Sequence, residues 1–188
     1  MRSFYHIMNM KKTLVINLFG GPGVGKSTLC ASVFAKLKIL GIECEMATEY
    51  AKDMVWEESY KKLENQIYIF GKQHARVHRL LGKVDVVITD SPLLNSIVYD
   101  KTDNIALKKL VISEFWKLNT LNFYITRKLD YEENGRVQTL KEAIDVDNAY
   151  LKLIKDNDIE YSIIEPGDID TIIKKTISKI NEFENIPQ

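Results

Sequence analysis

The sequence predicts an α/β fold in three layers, α/β/α, built on a parallel five-stranded sheet. Short apolar and β-branched runs alternate along the chain with stretches in which apolar residues recur at helical spacing. A glycine-rich segment separates the first apolar run from the first helical stretch. Strands that alternate with helices in this way favour a parallel sheet that is covered by helices on both faces.

The first half of the chain supplies two predicted strands and two predicted helices. Residues 14–19 are a short apolar run that ends in glycines, which is typical of a buried strand. Residues 26–40 carry apolar side chains at helical spacing, and Gly41 is a suitable end for that helix. A second strand is predicted at residues 42–48 and a long amphipathic helix at residues 61–81.

The second half of the chain continues the alternation. A third strand at residues 84–89 ends at Asp90, and a polar segment at residues 127–139 shows no strong periodicity. The other predicted elements are a helix near 104–118, a strand at 121–126, a helix near 140–155, a strand at 159–164 and a helix near 168–183. These elements complete the five strands of the predicted sheet.

The length and the charge balance restrict the class of protein. A chain of 188 residues suits one domain with a real core, and we predict a single domain over residues 1–188, with a leader at 1–11 and a lid segment at 127–139. Lysine plus arginine and aspartate plus glutamate both number 26, so the formal net charge is zero. This balance argues against tight nonspecific binding of nucleic acid, although a local basic groove stays open.

The cysteines and the hydropathy pattern favour a cytoplasmic protein. Cys30 and Cys44 fit neither a metal-ligand spacing nor a disulfide framework, which indicates reduced thiols in a reducing compartment. No apolar run reaches the roughly 20 residues that a membrane helix needs. We therefore predict no membrane partner. We also predict a monomer or a homodimer.

Residues 20–28 read GGPGVGKST and match the phosphate-binding P-loop pattern of a glycine, four residues, and then glycine, lysine and serine. Glycines let the backbone wrap an anion, and the following helix adds the partial positive charge of its N-terminus. Lys26 would reach the β- and γ-phosphates of ATP, and the Ser27 hydroxyl would bind Mg²⁺. The residues predicted to hold the nucleotide are Gly21, Gly23, Val24, Gly25, Lys26, Ser27 and Thr28.

A P-loop alone does not choose between a kinase, a switch GTPase and a mechanical ATPase. The chain lacks the Asn-Lys-x-Asp pattern that reads guanine, which argues against a GTPase switch. It is also too short for the additional helical domain expected of a ring-forming ATPase. It does carry three further polar clusters at places where a phosphotransferase needs them.

Two of these clusters supply carboxylates at the ends of strands, where ligands bind in open parallel sheets. Asp90 could bind Mg²⁺ or accept a proton from an acceptor hydroxyl, or it could be a turn residue. Glu49 follows the second predicted strand and is the other candidate general base, or else a solvated residue at a helix start. Which of the two is the base stays open at this point.

The third cluster is the polar segment itself, which contains Arg127 and Arg136. Phosphoryl transfer spreads negative charge over the equatorial oxygens, so arginines that close over the phosphates stabilise the transition state. We predict this catalytic role for both arginines. The alternative is an ordinary charged surface loop.

With these residues in view, the chain resembles the small nucleoside-kinase-like branch of P-loop NTPases, and within it the kinase domain of ribosylnicotinamide kinases. The similar features are GGPGVGKST, the EYAK motif that starts at Glu49, a helix with Gln66 and Gln73, ITDSPLL around Asp90, and the arginine-bearing segment. Lys52 stands where the family more often has arginine, and Asp-Ser-Pro departs from its usual continuation after Asp90. Similar sequences also occur among viral kinases that phosphorylate hydroxymethylated pyrimidines in DNA.

The motifs and the resemblance together imply an ATP- and Mg²⁺-dependent transfer of the γ-phosphate to a hydroxyl of a nucleoside-like acceptor. The predicted catalytic residues are Lys26, Glu49, Asp90, Arg127 and Arg136, and the predicted metal ligands are Ser27 and Asp90. Gln73 is a candidate for reading a base or a carboxamide of the acceptor. The alternatives are a kinase that acts on a modified pyrimidine within DNA, and a regulatory binding module that hydrolyses ATP.

Overall fold

The computed structural model of the protein describes residues 12–128 and 139–184. Within these residues the sheet has five strands, all parallel, in the order β2-β3-β1-β4-β5. The strands are β1 Leu14–Phe19, β2 Cys44–Met46, β3 Val86–Thr89, β4 Asn119–Ile125 and β5 Ser162–Ile164. The helices are α1 Lys26–Ile39, α2 Tyr50–Trp56, α3 Tyr60–Glu64, α4 Gln66–His78, α5 Asn95–Val98, α6 Ile105–Phe115, α7 Leu140–Asp156 and α8 Ile169–Glu184.

Helices cover both faces of the sheet. Alternate residues of the central strand β1 enter different hydrophobic clusters, because side chains along a strand point in turn to its two faces. Val15 and Phe19 pack with residues of α4, α6 and α7, whereas Ile16 and Leu18 pack with residues of α1 and α8. The predicted three-layer α/β/α fold with a parallel five-stranded sheet is therefore confirmed.

The region between β2 and β3 differs most from the sequence prediction. The long helix predicted at residues 61–81 is divided, since α3 ends at Glu64 and α4 begins at Gln66. Asn65 lies between them, and its side chain accepts a hydrogen bond from the Tyr68 amide, so it caps the new helix. The short helices α2 and α5 were not predicted, because one or two turns do not display a helical period.

The carboxyl ends of four parallel strands bring the predicted site residues to one edge of the sheet. β1 leads into residues 20–28, β2 into Glu49, β3 into Asp90 and β4 into Arg127. Ligands of open parallel sheets bind at this edge. The fold therefore places all the predicted site residues that the structure describes in one region.

The cysteines and the hydropathy of the helices were also considered in the sequence predictions. Cys30 and Cys44 are free, buried thiols. Across residues 12–128 and 139–184, no helix combines the length and the apolar character needed to cross a membrane.

Candidate active site

The phosphate loop connects β1 to α1 as the motif predicts. Gly25 directly precedes the first residue of α1 and has a φ of 88°, a left-handed conformation that strains any residue with a Cβ. The conformation turns the chain so that the helix starts at Lys26. The N-terminus of α1 and its partial positive charge therefore lie at the loop, as anion binding requires.

The Lys26 ammonium group lies on the loop that precedes it. Its Nζ donates hydrogen bonds to the carbonyl oxygens of Gly20, at 2.6 Å, and Gly21, at 2.8 Å. Burial lowers the pKa of Lys26, and the nearby carboxylates of Glu49, Asp90 and Asp147 act in the opposite direction. The charge of Lys26 thus interacts favourably with three carboxylates of this edge.

Asp90 is a buried carboxylate with one oxygen that lacks a partner. The residue is 5% exposed, and its Oδ1 makes no hydrogen bond within the described residues. Its neighbour Thr89 fixes the chain, because Thr89 Oγ1 donates to the Ala47 carbonyl at 2.7 Å and accepts from the Ser91 amide at 3.0 Å. An unpartnered buried carboxylate oxygen is costly for a fold, which points to a role in binding.

The residues at this edge fit a Mg²⁺ ion. Mg²⁺ keeps several waters and is held by one or two protein oxygens together with substrate phosphates. Asp90 supplies a buried oxygen, and Ser27 is exposed in the first turn of α1. No group of three or more histidine, cysteine, aspartate or glutamate side chains within residues 12–128 and 139–184 could hold a metal by itself.

Glu49 directly precedes α2 and is half-buried. Its side chain makes no capping hydrogen bond to the helix, so the carboxylate is not used to cap α2. Burial raises the pKa of Glu49, the charge of Asp90 raises it further, and Lys26 lowers it. A carboxylate with a raised pKa is better suited to general-base catalysis near neutral pH than one with an ordinary pKa.

The peptides on both sides of Glu49 are anchored by helix α4. Gln73 Oε1 accepts a hydrogen bond from the Tyr50 amide at 2.9 Å, and Arg76 Nη1 donates to the Thr48 carbonyl at 3.0 Å. Gln73 Nε2 also lies 3.4 Å from the Ala47 carbonyl. Gln73 is 3% exposed, so its carboxamide serves the protein backbone and the idea that it reads the acceptor base is wrong.

Replacing Gln73 by leucine should lower phosphotransfer about 10- to 100-fold with little change in ATP affinity, because Glu49 would lose its fixed position. The unpaired Tyr50 amide should also reduce the free energy of unfolding by about 1–3 kcal/mol. Steady-state kinetics and denaturant titration measure both effects. Gln66→Leu is the matched control, since Gln66 is a buried glutamine of the same helix that bonds to Leu63 instead. Equal kinetic losses in the two variants would contradict the positioning of Glu49 by Gln73.

Arg127 lies at the end of β4 and contacts the phosphate loop. Its Nη1 donates to the Pro22 carbonyl at 2.8 Å, and its Nε donates to Asp147 Oδ2 at 2.6 Å. Asp147 in turn accepts a hydrogen bond from the Gly21 amide through Oδ1, at 2.5 Å. The catalytic role predicted for Arg127 stays a prediction, and Arg136 and most of the predicted lid segment lie outside the described residues.

Asp147 was not among the predicted site residues, although the pattern of α7 contains a signal for it. The buried residues of this helix are Ala143, Asp147, Tyr150 and Ile154, which recur at helical spacing. A carboxylate on the buried stripe of an amphipathic helix needs a partner, because isolated buried charges are very costly. The sequence could have indicated a buried ion pair, but not that Arg127 and the phosphate loop supply the partners.

Side-chain hydrogen bonds connect Tyr150, Asn95 and Ser91, the residue that follows Asp90. The Tyr150 hydroxyl donates to Asn95 Oδ1 at 2.8 Å, and Asn95 Nδ2 donates to Ser91 Oγ at 3.0 Å. Burial raises the pKa of the Tyr99 hydroxyl, and the negative charges of Glu49 and Asp147 raise it further. Tyr99 therefore lies within electrostatic range of Glu49 and Asp147.

A family model described as an AAA domain matches residues 15–171. The matched stretch runs from β1 to the first turn of α8 and includes the phosphate loop, Glu49, Asp90, Arg127 and Asp147. The chain belongs to this AAA-domain family. Membership agrees with a nucleotide-binding P-loop protein, and the expectation that the chain is not a ring-forming ATPase stays a prediction.

Among solved structures, the AAA-domain fold of this chain is similar to that of the NadR protein in complex with NR. The TM-score is 0.64 at 14% sequence identity, over 95% of this chain and 52% of the NadR chain. The chain thus spans about half the length of that protein. At this identity the likeness shows the fold alone, and it agrees with the predicted P-loop fold on a parallel sheet. No curated protein matches the chain in sequence.

Proposed function

We propose that this AAA-domain protein transfers the γ-phosphate of ATP to a hydroxyl of a nucleoside-like acceptor. The observation that carries the proposal is that Glu49 and Asp90 follow neighbouring strands at the edge of the sheet that holds the phosphate loop, within electrostatic range of Lys26. A phosphate loop needs Lys26 to hold the donor, whereas transfer to an acceptor additionally needs a base near the loop. A family match to an AAA domain and the fold of NadR support a nucleotide-dependent enzyme.

In this proposal the carboxylates have separate roles. Glu49, with its raised pKa, removes the proton from the acceptor hydroxyl as that oxygen approaches phosphorus. Asp90 and Ser27 would hold Mg²⁺, which would neutralise charge on the phosphates of ATP. Lys26 leaves the carbonyl oxygens of the loop and donates to the same phosphates.

The charges of the site support an acceptor without a phosphate group. Among residues 12–128 and 139–184, the groups that interact electrostatically with Lys26 are the carboxylates of Glu49, Asp90 and Asp147 and the guanidinium of Arg127. A nucleoside monophosphate would bring a dianion next to these carboxylates, whereas an uncharged or cationic nucleoside would not. We therefore place a nucleoside-like molecule ahead of a nucleotide as the acceptor.

The test is a transfer assay with Mg²⁺ and ATP that carries a labelled γ-phosphate. The acceptors are nucleosides, ribosylnicotinamide, nucleoside monophosphates, and DNA with and without hydroxymethylated pyrimidines. Label on a nucleoside-type acceptor supports the proposal and names the substrate class. Label on hydroxymethylated DNA alone would replace the small acceptor by a polymer, and label found only in free phosphate would favour the regulatory ATP-hydrolysing module.

Replacing Glu49 by glutamine should lower the rate of phosphotransfer about 100- to 10,000-fold, because the general base is removed. In the wild-type protein the rate should rise with pH through the raised pKa of Glu49, since only the deprotonated carboxylate accepts a proton. It should fall at alkaline pH as Lys26, whose pKa is lowered, loses its charge. A pH–rate profile measures both limbs.

The control for this variant is Glu57→Gln, which neutralises an exposed carboxylate at the end of the same helix. It should keep the wild-type rate and both limbs of the profile. If Glu49→Gln also keeps its rate and its acidic limb, the base role does not belong to Glu49. Asp90 is then the remaining candidate of the two.

A further inference from the structure

The first limb of the phosphate loop, Gly21 and Pro22, is attached to two other elements. The Gly21 amide donates to Asp147 on α7, and the Pro22 carbonyl accepts from Arg127 at the end of β4. Arg127 also donates to Asp147 at 2.6 Å, so the four residues form one connected set of hydrogen bonds. Arg127 Nη2 lies 3.4 Å from the Ala143 carbonyl, one turn before Asp147 on α7.

The attachment is close-packed as well as hydrogen-bonded. A Cβ on Gly21 would lie 2.6 Å from the Ala143 carbonyl, 2.8 Å from Asp147 Oδ1 and 2.9 Å from Arg127 Nη2. These separations are shorter than van der Waals contact, so only glycine lets the loop approach α7 this closely. The Arg127 and Asp147 side chains are 13% and 10% exposed. The Asp147 carboxylate would be costly at this depth without the guanidinium beside it.

We propose that Arg127 and Asp147 form a charge-neutral latch that positions the phosphate loop for ATP. The proposal rests on the proposed function and concerns its donor side. Both members are positioning residues: Arg127 neutralises Asp147 and holds Pro22, and Asp147 holds Gly21. This positioning role differs from the direct contact with the transferred phosphate that the sequence predicted for Arg127, and the experiment below distinguishes the two.

The latch has a consequence that a phosphate-binding arginine does not share. Without Arg127, the Asp147 carboxylate stays beside the loop as an unpaired negative charge, near Lys26 and the site of the anionic triphosphate. Arg127→Ala should therefore weaken ATP binding about tenfold or more. Removing the carboxylate as well should restore part of the lost affinity, because the repulsive charge is then gone. The double variant Arg127→Ala/Asp147→Ala should bind ATP more tightly than Arg127→Ala alone.

The experiment is a double-mutant cycle on the full chain, with the Kd of ATP in the presence of Mg²⁺ measured calorimetrically well below the melting temperature. The expected result is a Kd raised about tenfold or more in Arg127→Ala and at least about threefold lower again in the double variant. A double variant that binds ATP as weakly as Arg127→Ala, or more weakly, would overturn the latch in favour of a direct phosphate contact. An unchanged Kd in Arg127→Ala would overturn it too.

Melting temperatures are measured for the wild type, Arg127→Ala, Asp147→Ala and the double variant. They test the latch even where a variant is too unstable for calorimetric titration. The latch predicts that Arg127→Ala melts below the double variant, because only the single variant keeps an unpaired buried charge. The reverse order would overturn the latch. Asp145→Ala, which removes an exposed carboxylate from the same helix, is the control and should match the wild type in both measurements. A wild-type protein that does not bind ATP would instead refute the proposed function.

Discussion

Replacing Lys26 by alanine is expected to reduce phosphotransfer about a thousandfold or more, because the variant loses the cation that neutralises the transferring phosphates. The fold should survive the change. In the structure the ammonium donates hydrogen bonds to the carbonyl oxygens of Gly20 and Gly21, and its burial already disfavours the charged form. Single-turnover kinetics and thermal melting measure the two expectations on one preparation.

The matched control is Lys36→Ala, which removes an exposed lysine from the same helix. It should transfer phosphate at the wild-type rate. Transfer by Lys26→Ala within about tenfold of the wild type would show that the phosphate loop is not the donor site, because such a loss is far smaller than a phosphate-binding cation supplies.

Asp90→Asn is the second variant with a large expected effect. Phosphotransfer should fall about a hundredfold or more, since a neutral amide oxygen binds Mg²⁺ much more weakly than a carboxylate does. The melting temperature should stay the same or rise, because Oδ1 has no hydrogen bond to lose and the amide is less costly to bury than the charge. A loss of activity with a gain of stability is the mark of a group kept for function.

The measurement that checks this prediction is the rate of transfer as a function of Mg²⁺ concentration. The half-saturating concentration should rise in Asp90→Asn, and excess metal should recover part of the rate. Asp156→Asn, an exposed aspartate at the end of α7, should leave the Mg²⁺ dependence unchanged. If Asp90→Asn loses activity with an unchanged Mg²⁺ dependence, Asp90 acts as something other than a metal ligand.

The parts of the fold that the sequence predicted well are those buried on both faces. β1 was predicted at its observed bounds and β3 within two residues at its start, because a central parallel strand is a short, nearly continuous apolar run. The break at Asn65 was not predictable, since the apolar stripe continues across it into α4. Only the tertiary packing of α3 and α4 distinguishes one long helix from two.

The candidate site also contains one part that the sequence predicts and another that it does not. The phosphate loop was predictable because its residues are adjacent in the sequence and anion binding dictates their types. The partners of Gln73 and Asp147 could not be predicted, because Tyr50 and Gly21 are 23 and 126 residues away in the sequence. Such side chains act by holding other parts of the site in place, and no local sequence pattern identifies the part that each one holds.

The most direct test of the central claim is the fate of the γ-phosphate, followed by ³¹P NMR. The protein is mixed with Mg²⁺, ATP and a pool of unphosphorylated nucleosides that includes ribosylnicotinamide, and Lys26→Ala serves as the blank. A phosphotransferase predicts a new phosphomonoester signal that grows in step with ADP, with no matching release of inorganic phosphate. ADP formation matched entirely by inorganic phosphate, with every acceptor in the pool unchanged, would contradict the account.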